Sequence, residues 1–137
     1  MPDTPGPLTG RRVLVVEDDW MIASEMEGLL RRAGAEVDGP WPGVAQALAA
    51  LAALDALDGA AGAAALDAAV LDVNLGGGET VYPVADRLER SGVPYLFATG
   101  NVAGAADPAY ADRPRLEKPI PDRVLLKAVA ALVRGRG

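Results

Sequence analysis

The sequence predicts an α/β fold, namely a doubly wound, five-stranded parallel sheet with helices on both faces. Two features lead to this prediction. Short apolar segments alternate with segments in which apolar residues recur at helical spacing, which is the pattern of parallel strands joined by helices. Polar or charged residues follow the apolar segments directly, as expected at the carboxyl edge of such a sheet, where ligands bind.

Length and composition limit the classes of function. The chain has 137 residues, which is enough for one domain and too few for two. Half of its residues are hydrophobic, which excludes a disordered protein, and only 4% are aromatic, so aliphatic side chains and alanine must fill the core. The net charge of −6 disfavours binding to DNA or to anionic membranes, because both need a basic surface.

Cysteine and histidine are both missing from the sequence. Without cysteine there is no disulfide, no thiol catalysis and no thiolate metal site. Without histidine there is no Ser-His-Asp triad, no imidazole ligand for zinc and no phosphohistidine on this chain. The first residues do not resemble a secretory signal and no apolar run is long enough to span a bilayer, so we expect a soluble cytoplasmic protein without membrane insertion.

The first strand and the first helix follow an N-terminal segment of unusual composition. Residues 1–10 contain three prolines and two glycines, and we expect them to form a flexible tail before a domain of residues 11–134. The apolar segment Arg12–Val16 predicts a central strand. An apolar stripe at helical spacing predicts a helix from about Trp20 to Ala33, and Gly34 is typical of the residue that ends a helix.

The second strand is only weakly predicted. Residues 35–39 hold a single strongly β-forming side chain, and Pro40 and Pro42 are then expected to break the chain. A second helix should begin at Gly43, because the apolar residues after it again recur at helical spacing. The alanine-rich residues 54–66 are expected to contain the end of this helix and a loop.

The third strand, residues 70–73, is fully apolar apart from one aspartate, as in strands that are buried in a parallel sheet. The glycines at 76–78 would let the chain turn sharply after it. A third helical stripe follows from Val81 to Leu88 and should end at Gly92, with Pro83 near its start, where proline is tolerated best.

The last two strands are separated by a segment of uncertain structure. Residues 93–98 predict the fourth strand and residues 115–117 a brief fifth strand. Between them, residues 101–114 support at most a short, poorly formed helix, because they contain one glycine and two prolines. The apolar stripe from Val124 to Leu132 predicts the last helix, and residues 135–137 are expected to form a C-terminal tail.

Carboxylates follow the first and the third predicted strands. Glu17, Asp18 and Asp19 are adjacent and repel one another. Asp19 is explained as a helix N-cap, but two acids remain, and a hard divalent cation such as Mg²⁺ is the simplest partner for them. Asp72 lies in an apolar segment, where burying it unpaired is costly, so it should be neutralised or lie at the end of the strand. An aspartate that only caps the next loop is the simpler alternative for this residue.

The fourth strand ends at Thr99 and the fifth at Lys118. Because the carboxyl ends of parallel strands share one edge, we expect these two side chains to converge with the acids. Together they form a coherent set for phosphoryl transfer. The acids would hold Mg²⁺, one acid would act as the nucleophile, and the hydroxyl and the ammonium group would bind phosphoryl oxygens.

In this order, the strand-end motifs resemble those of response-regulator receiver domains, with the flavodoxin-like fold seen in CheY. The resemblance extends over about residues 11–133. The matching motifs are Val-Leu-Val-Val-Glu17-Asp18-Asp19, Val-Leu-Asp72-Val-Asn74-Leu, Phe97-Ala-Thr99-Gly and Glu117-Lys118-Pro119. The family accepts a phosphoryl group from a histidine of a partner protein, which agrees with the lack of histidine in this chain.

The resemblance implies a role for each acidic residue. Asp72 would be the phosphoacceptor, and the donor would be a sensor histidine kinase or a phosphotransfer protein. Mg²⁺ would be bound by Asp18, Asp72 and the backbone carbonyl of Asn74, with Glu17 helping directly or through water. The only reactions expected of the chain are its own phosphorylation and dephosphorylation, so we do not expect an enzyme.

The resemblance also implies how the phosphoryl group is held and sensed. Thr99 and Lys118 would bind the phosphoryl oxygens. In typical receivers an aromatic residue three positions before the lysine moves when the aspartate is phosphorylated, but Arg115 stands there in this sequence. A conformational switch would then have to use the loop from Gly100 to Pro114.

The motif Phe97-Ala-Thr-Gly100 resembles a receiver subgroup defined by Phe-Ala-Thr-Gly, the "FAT GUY" receivers, in which tyrosine or glycine usually follows. Asn101 is a departure from that pattern. Members are often stand-alone and often work with HWE-type or related histidine kinases. We therefore expect a single-domain bacterial response regulator of a two-component phosphorelay, which signals through contacts with an unidentified downstream protein and does not bind DNA directly.

Several alternatives compete with this interpretation. A dinucleotide-binding half-domain needs a glycine-rich turn after the first strand, where Glu17 and Asp18 would repel a pyrophosphate. An aspartate-nucleophile, Mg²⁺-dependent phosphohydrolase normally needs a second acid two residues after the nucleophile, and Asn74 stands there. A receiver that only binds partners would lack one of the site residues. A phosphate sink or shuttle without its own output is compatible with the sequence.

Overall fold

The computed structural model describes residues 6–58, 65–100, 110 and 112–136. Five parallel strands pair in the order β2-β1-β3-β4-β5, and four helices lie in the described part of the chain. The elements are β1 (Arg12–Val16), α1 (Trp20–Arg32), β2 (Glu36–Trp41), α2 (Val44–Asp58), β3 (Ala68–Asp72), α3 (Tyr82–Ser91), β4 (Tyr95–Thr99), β5 (Arg115–Glu117) and α4 (Asp122–Arg136). The predicted fold class is confirmed.

The two faces of the sheet carry separate hydrophobic clusters, because successive side chains of a strand point to opposite faces. On one face, Leu14, Leu71 and Phe97 pack with buried residues of α2 and α3. On the other face, Val15, Val70 and others pack with buried residues of α1 and α4. Every residue of β3 and β4 is buried, so these two strands fix the centre of the molecule.

β1 and α1 begin where the sequence predicts. The carboxylate of Asp19 accepts the backbone N–H groups of Met21 at 3.0 Å and of Ile22 at 3.1 Å, so it is the N-cap of α1. Gly34 follows the helix with a φ of +102°, a left-handed conformation that glycine adopts without the cost other residues incur. This capping turns the chain directly from the carboxyl end of β1 into α1.

The expectation of a flexible tail is wrong for residues 6–10. The Leu8 side chain is fully buried in the cluster between the sheet, α1 and α4, and its N–H group donates to the carbonyl of Ala33 at 2.9 Å. Apolar burial of one leucine stabilises this segment despite the prolines and glycines around it. Residues 1–5 of the predicted tail lie outside the described part of the chain.

Leu8→Ala is therefore expected to lower the free energy of unfolding by about 2–4 kcal/mol, since it removes buried methyl groups and leaves a cavity. Urea denaturation followed by circular dichroism measures this loss. Val124→Ala, at a side chain that is 39% exposed on α4, serves as the control and should cost less than about 0.5 kcal/mol. Equal effects of the two substitutions would show that Leu8 does not belong to the core in solution.

The expectation that Pro40 ends the second strand is also wrong. β2 continues through Pro40 to Trp41, whose carbonyl accepts the Glu17 N–H at 2.9 Å. Proline is tolerated here because β2 is an edge strand and the register with β1 shifts between Leu14 and Val16. This extension places Trp41 beside the end of β1.

The remaining boundaries agree with the predictions or differ by a few residues. α4 continues through Gly135 to Arg136, because a glycine in the last helical turn costs only about 1 kcal/mol. The prediction of a C-terminal tail is therefore wrong at these two positions. The end of α2 at Asp58 falls within the expected region, whereas residues 59–64 lie outside the described part. Among the helices that are described, none is long and apolar enough to cross a membrane.

Candidate functional site

The predicted site residues come together at the carboxyl edge of the sheet. Glu17 directly follows β1, Asp72 and Thr99 are the last residues of β3 and β4, and Lys118 directly follows β5. These strands are parallel and adjacent in the sheet, so their ends meet at one edge. The structure thus brings together four side chains that are spread over the sequence from position 17 to position 118.

Lys118 is the cation at the centre of this group. Its Nζ lies 2.6 Å from Oε1 of Glu17 and 3.4 Å from Oδ2 of Asp72. Both carboxylates are buried, with 2% of Glu17 and 5% of Asp72 exposed, so their charges are poorly screened by solvent. The second oxygen of Glu17 accepts the Asp19 N–H at 3.1 Å, which links the site to the N-cap of α1.

Three carboxylates form a compact oxygen cluster beside this lysine. One oxygen each of Glu17, Asp18 and Asp72 lies within 4.8 Å of the other two. Asp18 is exposed, whereas Glu17 and Asp72 are buried, so the cluster opens to solvent on the Asp18 side. One lysine does not balance three acids, and oxygen ligands in this arrangement suit a hard divalent cation. The donor set therefore fits Mg²⁺, the ion that the sequence predicts.

The charge balance of the site changes the acidity of Asp72. Burial, followed by the hydrogen bond and the negative charge of Glu17, raises the pKa of Asp72 to about 8, although the Lys118 ammonium acts to lower it. For Lys118, burial acts to lower the pKa, but the carboxylates of Glu17 and Asp72 outweigh it, so the pKa is raised. At neutral pH the metal-free site therefore favours a proton on Asp72 and a charged Lys118.

The loop after β3 lies against the acids. Oδ1 of Asp72 accepts the N–H of Asn74 at 3.3 Å, and Asn74 pairs with Thr80 in an isolated antiparallel bridge. Gly76, Gly77 and Gly78 have φ values of +81°, +59° and +81°, which explains why the turn is made of glycines. The loop thus keeps the backbone of Asn74 next to Asp72.

Thr99 is buried at the end of β4, with 5% of its surface exposed. Ala98 pairs with Asp72 in the sheet, so Thr99 stands one residue beyond the level of that aspartate. Its carbonyl accepts the Lys118 N–H at 2.8 Å, which ties the ends of β4 and β5 together. The Lys118–Pro119 peptide that follows is cis.

The same fold occurs in known proteins. The solution structure of SdrG from Sphingomonas melonis Fr1 is 39% identical to this chain, with a TM-score of 0.70, and the match covers 93% of this chain and 98% of SdrG. A response regulator receiver protein from Burkholderia phymatum is 25% identical, with a TM-score of 0.73, over 90% of this chain and 95% of that protein. The chain belongs to the response-regulator receiver family.

Two further comparisons extend this result. The BeF3-activated conformation of SdrG from Pseudomonas melonis Fr1 matches with 39% identity and a TM-score of 0.63, over 89% of this chain and 95% of that one. The receiver domain of the PhyR response regulator from Erythrobacter litoralis, at 21% identity and a TM-score of 0.70, shares the fold over 94% of both chains. The sequence matches no protein-family model and no curated protein.

Arg115 occupies the position at which the receiver resemblance leads one to expect an aromatic residue. Its side chain is exposed, and its guanidinium carbon lies 5.9 Å from the centre of the Phe97 ring. A cation–π contact of this kind is weak at an exposed site. The expected switch segment from Gly100 to Pro114 falls mostly on residues outside the described part of this receiver.

Within that segment, Tyr110 is described, and it joins an aromatic cluster that the sequence does not predict. Phe97 and the three tyrosines contact one another: Tyr110 stacks on Tyr82 at 4.6 Å between ring centres and meets Phe97 edge-on at 5.9 Å, and Tyr95 also packs against Phe97. The Tyr110 hydroxyl donates to Asp86. Tyr95 and Phe97 are neighbours on one face of β4, but Tyr82 and Tyr110 are distant from them in sequence, so only the tertiary structure reveals the whole cluster.

Proposed function

We propose that this receiver accepts a phosphoryl group on Asp72, with Mg²⁺ bound at the acidic cluster, from a sensor histidine kinase or a phosphotransfer protein. One observation carries the proposal. The oxygens of Glu17, Asp18 and Asp72 lie within 4.8 Å of one another, and the Lys118 ammonium is 3.4 Å from the Asp72 carboxylate. A nucleophilic carboxylate, a cation site and a fixed ammonium are the groups that phosphoryl transfer to an aspartate needs.

The transfer itself follows from the position of Asp72. Asp72 reacts in its ionised form: one of its carboxylate oxygens attacks the phosphorus of a phosphohistidine, and the O–P bond forms as the N–P bond breaks. The electron pair of that bond returns to the imidazole nitrogen, which then takes up a proton. Mg²⁺, when bound, supplies positive charge to the phosphoryl oxygens. Lys118 neutralises part of the charge on the acceptor, and Thr99 has the hydroxyl that we assign to a phosphoryl oxygen.

The relatives support this assignment without testing it. Receiver domains accept phosphoryl groups from histidine kinases or phosphotransfer proteins, and SdrG, at 39% identity, has a BeF3-activated conformation. The HWE-type kinase and the membership of the Phe-Ala-Thr-Gly subgroup stay predictions. A phosphohydrolase is disfavoured because Asn74, two residues after Asp72, is an amide and not a carboxylic acid.

We further propose that the phosphorylated receiver signals by binding another protein. The alternative, a phosphate sink or shuttle, differs in one measurable respect. An output regulator binds its downstream partner only when phosphorylated, whereas a sink drains the kinase and loses the phosphoryl group without binding anything new. Affinity capture with the BeF3-treated and untreated receiver, followed by quantitation of each captured protein, separates the two roles.

Phosphorylation is expected to depend strictly on a divalent cation. Incubation with a small-molecule phosphodonor and Mg²⁺ should add one phosphoryl group to the protein, and the same incubation with excess chelator should add none, because the unbalanced carboxylates would then repel the donor. Intact-mass spectrometry measures both outcomes. Ca²⁺ in place of Mg²⁺ is an informative control, since it binds oxygen ligands with a looser geometry. Full phosphorylation in chelator would refute the metal role of the acidic cluster.

A further inference from the structure

We propose that Glu79 is a positioning residue for the phosphorylation site: its carboxylate holds the start of α2, and its backbone holds the loop that carries Asn74. The inference rests on the proposed function, because the feature that it positions is the Mg²⁺ site. Glu79 is exposed and lies outside the acidic cluster. Its role as a positioning residue follows from its hydrogen bonds to both the start of α2 and the loop after β3.

The residue that precedes α2 cannot cap the helix with a side chain. Gly43 precedes the helix and has no side chain, and the first turn contains no acidic residue. The first N–H groups of a helix need acceptors from elsewhere. Oε1 of Glu79 accepts the N–H of Val44 at 3.2 Å from 35 positions away, and a carboxylate is also favoured at the positive end of a helix.

The backbone of Glu79 is bonded twice within the loop. Its N–H donates to the carbonyl of Gly76 at 2.9 Å, and its carbonyl accepts the N–H of Leu75 at 2.9 Å. The next residue, Thr80, forms the bridge with Asn74. A turn of three consecutive glycines has a large conformational entropy to lose, so it depends on these hydrogen bonds for a fixed shape.

The loop that Glu79 fixes touches two of the three acids. The N–H of Asn74 donates to Asp72, and a methyl group built on Gly76 would lie 3.3 Å from Oδ2 of Asp18. A shift of the loop would therefore move the Asn74 backbone relative to both carboxylates. Through this chain of contacts, α2 serves as the fixed support against which the glycine turn is placed.

The test compares Glu79→Ala with Glu79→Gln. Alanine removes the acceptor, whereas glutamine retains an oxygen for the Val44 N–H and loses only the charge. We expect Glu79→Ala to raise the Mg²⁺ dissociation constant about 10-fold, at the low end of the range for residues that orient metal ligands, and Glu79→Gln to stay within about 2-fold of wild type. Titration with Mg²⁺ followed in backbone amide spectra gives these constants without any reaction, and exchange of the Val44 amide should be faster in Glu79→Ala.

Glu36→Ala is the matched control, because Glu36 is also an exposed glutamate, at the opposite end of the sheet, where it pairs with Arg12 at 3.5 Å. It should leave the Mg²⁺ affinity unchanged. A role in stability alone would lower the unfolding temperature and leave the dissociation constant unchanged.

Each outcome decides the inference. Equal weakening by alanine and glutamine would show that only the charge of Glu79 matters and would overturn the positioning role, as would an unchanged affinity in Glu79→Ala. If the wild-type spectra do not respond to Mg²⁺ at all, the proposed metal site fails and the inference fails with it. A wild type that binds Mg²⁺ and is phosphorylated, together with unaffected variants, refutes the role of Glu79 alone.

Discussion

Asp72→Asn is expected to accept no phosphoryl group and to be more stable than the wild type at pH 7 in the absence of Mg²⁺. The first effect follows because an amide oxygen is a poor nucleophile and the substitution removes the proposed acceptor. The second follows from burial, which together with Glu17 raises the pKa of Asp72 to about 8 from an ordinary value of 3.8. A neutral amide avoids the cost of protonating a buried aspartate at pH 7, well above the ordinary pKa of its carboxyl group.

The sign of the pH dependence follows from proton binding. Between about pH 4 and pH 8 the folded protein holds a proton on Asp72 that the unfolded chain has released, so the stability of the wild type falls as the pH rises through this range. Asparagine does not titrate. The advantage of Asp72→Asn should therefore be about 2 kcal/mol or more at pH 7 and should disappear near pH 4.

Intact-mass spectrometry and urea denaturation at pH 4.5 and pH 7 measure the two effects. Asp112→Asn, at an exposed aspartate, is the control and should behave as the wild type in both experiments. A phosphorylated Asp72→Asn protein would place the nucleophile on another residue and remove the basis of the proposed function. A variant that is less stable than the wild type at pH 7 would contradict the raised pKa.

Lys118→Met is expected to slow phosphorylation by about 100-fold or more, because it removes a fixed positive charge from the place where negative charge is transferred. It should also lower the free energy of unfolding by about 2 kcal/mol. Removing one partner of a buried ion pair costs about 3–5 kcal/mol, and protonation of Asp72 limits that loss here. Phosphorylation rates by mass spectrometry and urea denaturation at pH 7 give the two values.

The same substitution in a Glu17→Gln protein identifies which carboxylate destabilises Lys118→Met. Nζ of Lys118 is nearer to Glu17 than to Asp72, at 2.6 Å against 3.4 Å, so the unpaired Glu17 should account for most of the loss. In a Glu17→Gln protein, Lys118→Met should then cost less than about 1 kcal/mol. Lys127→Met, at an exposed lysine on α4, controls for the loss of charge. Wild-type phosphorylation of Lys118→Met would show that the ammonium has no part in the transfer.

Local sequence was sufficient for those features that depend on alternation of apolar and polar residues. The bounds of β1 and β5 agree with the prediction because charged residues flank each apolar segment. The convergence of Asp72, Thr99 and Lys118 could be predicted because parallel strands necessarily share their carboxyl edge.

The features that the sequence did not predict depend on partners far along the chain. Glu79 reaches Val44 across 35 positions, and Tyr110 contacts Asp86 across 24. Leu8 stands in a segment whose composition is typical of disorder, and only its contact with the end of α1 shows that it is part of the core. Pro40 would break a central strand, and its tolerance depends on β2 being at the edge.

The buried position of Leu8 has a practical consequence for the preparation of the protein. A domain boundary chosen from composition alone would be placed at Arg11, one residue before β1 begins. A recombinant protein trimmed at that point would expose the pocket that Leu8 fills and would invite aggregation through the uncovered ends of α1 and α4. Affinity tags and fluorescent fusions should accordingly be joined before Gly6, so that Leu8 remains buried.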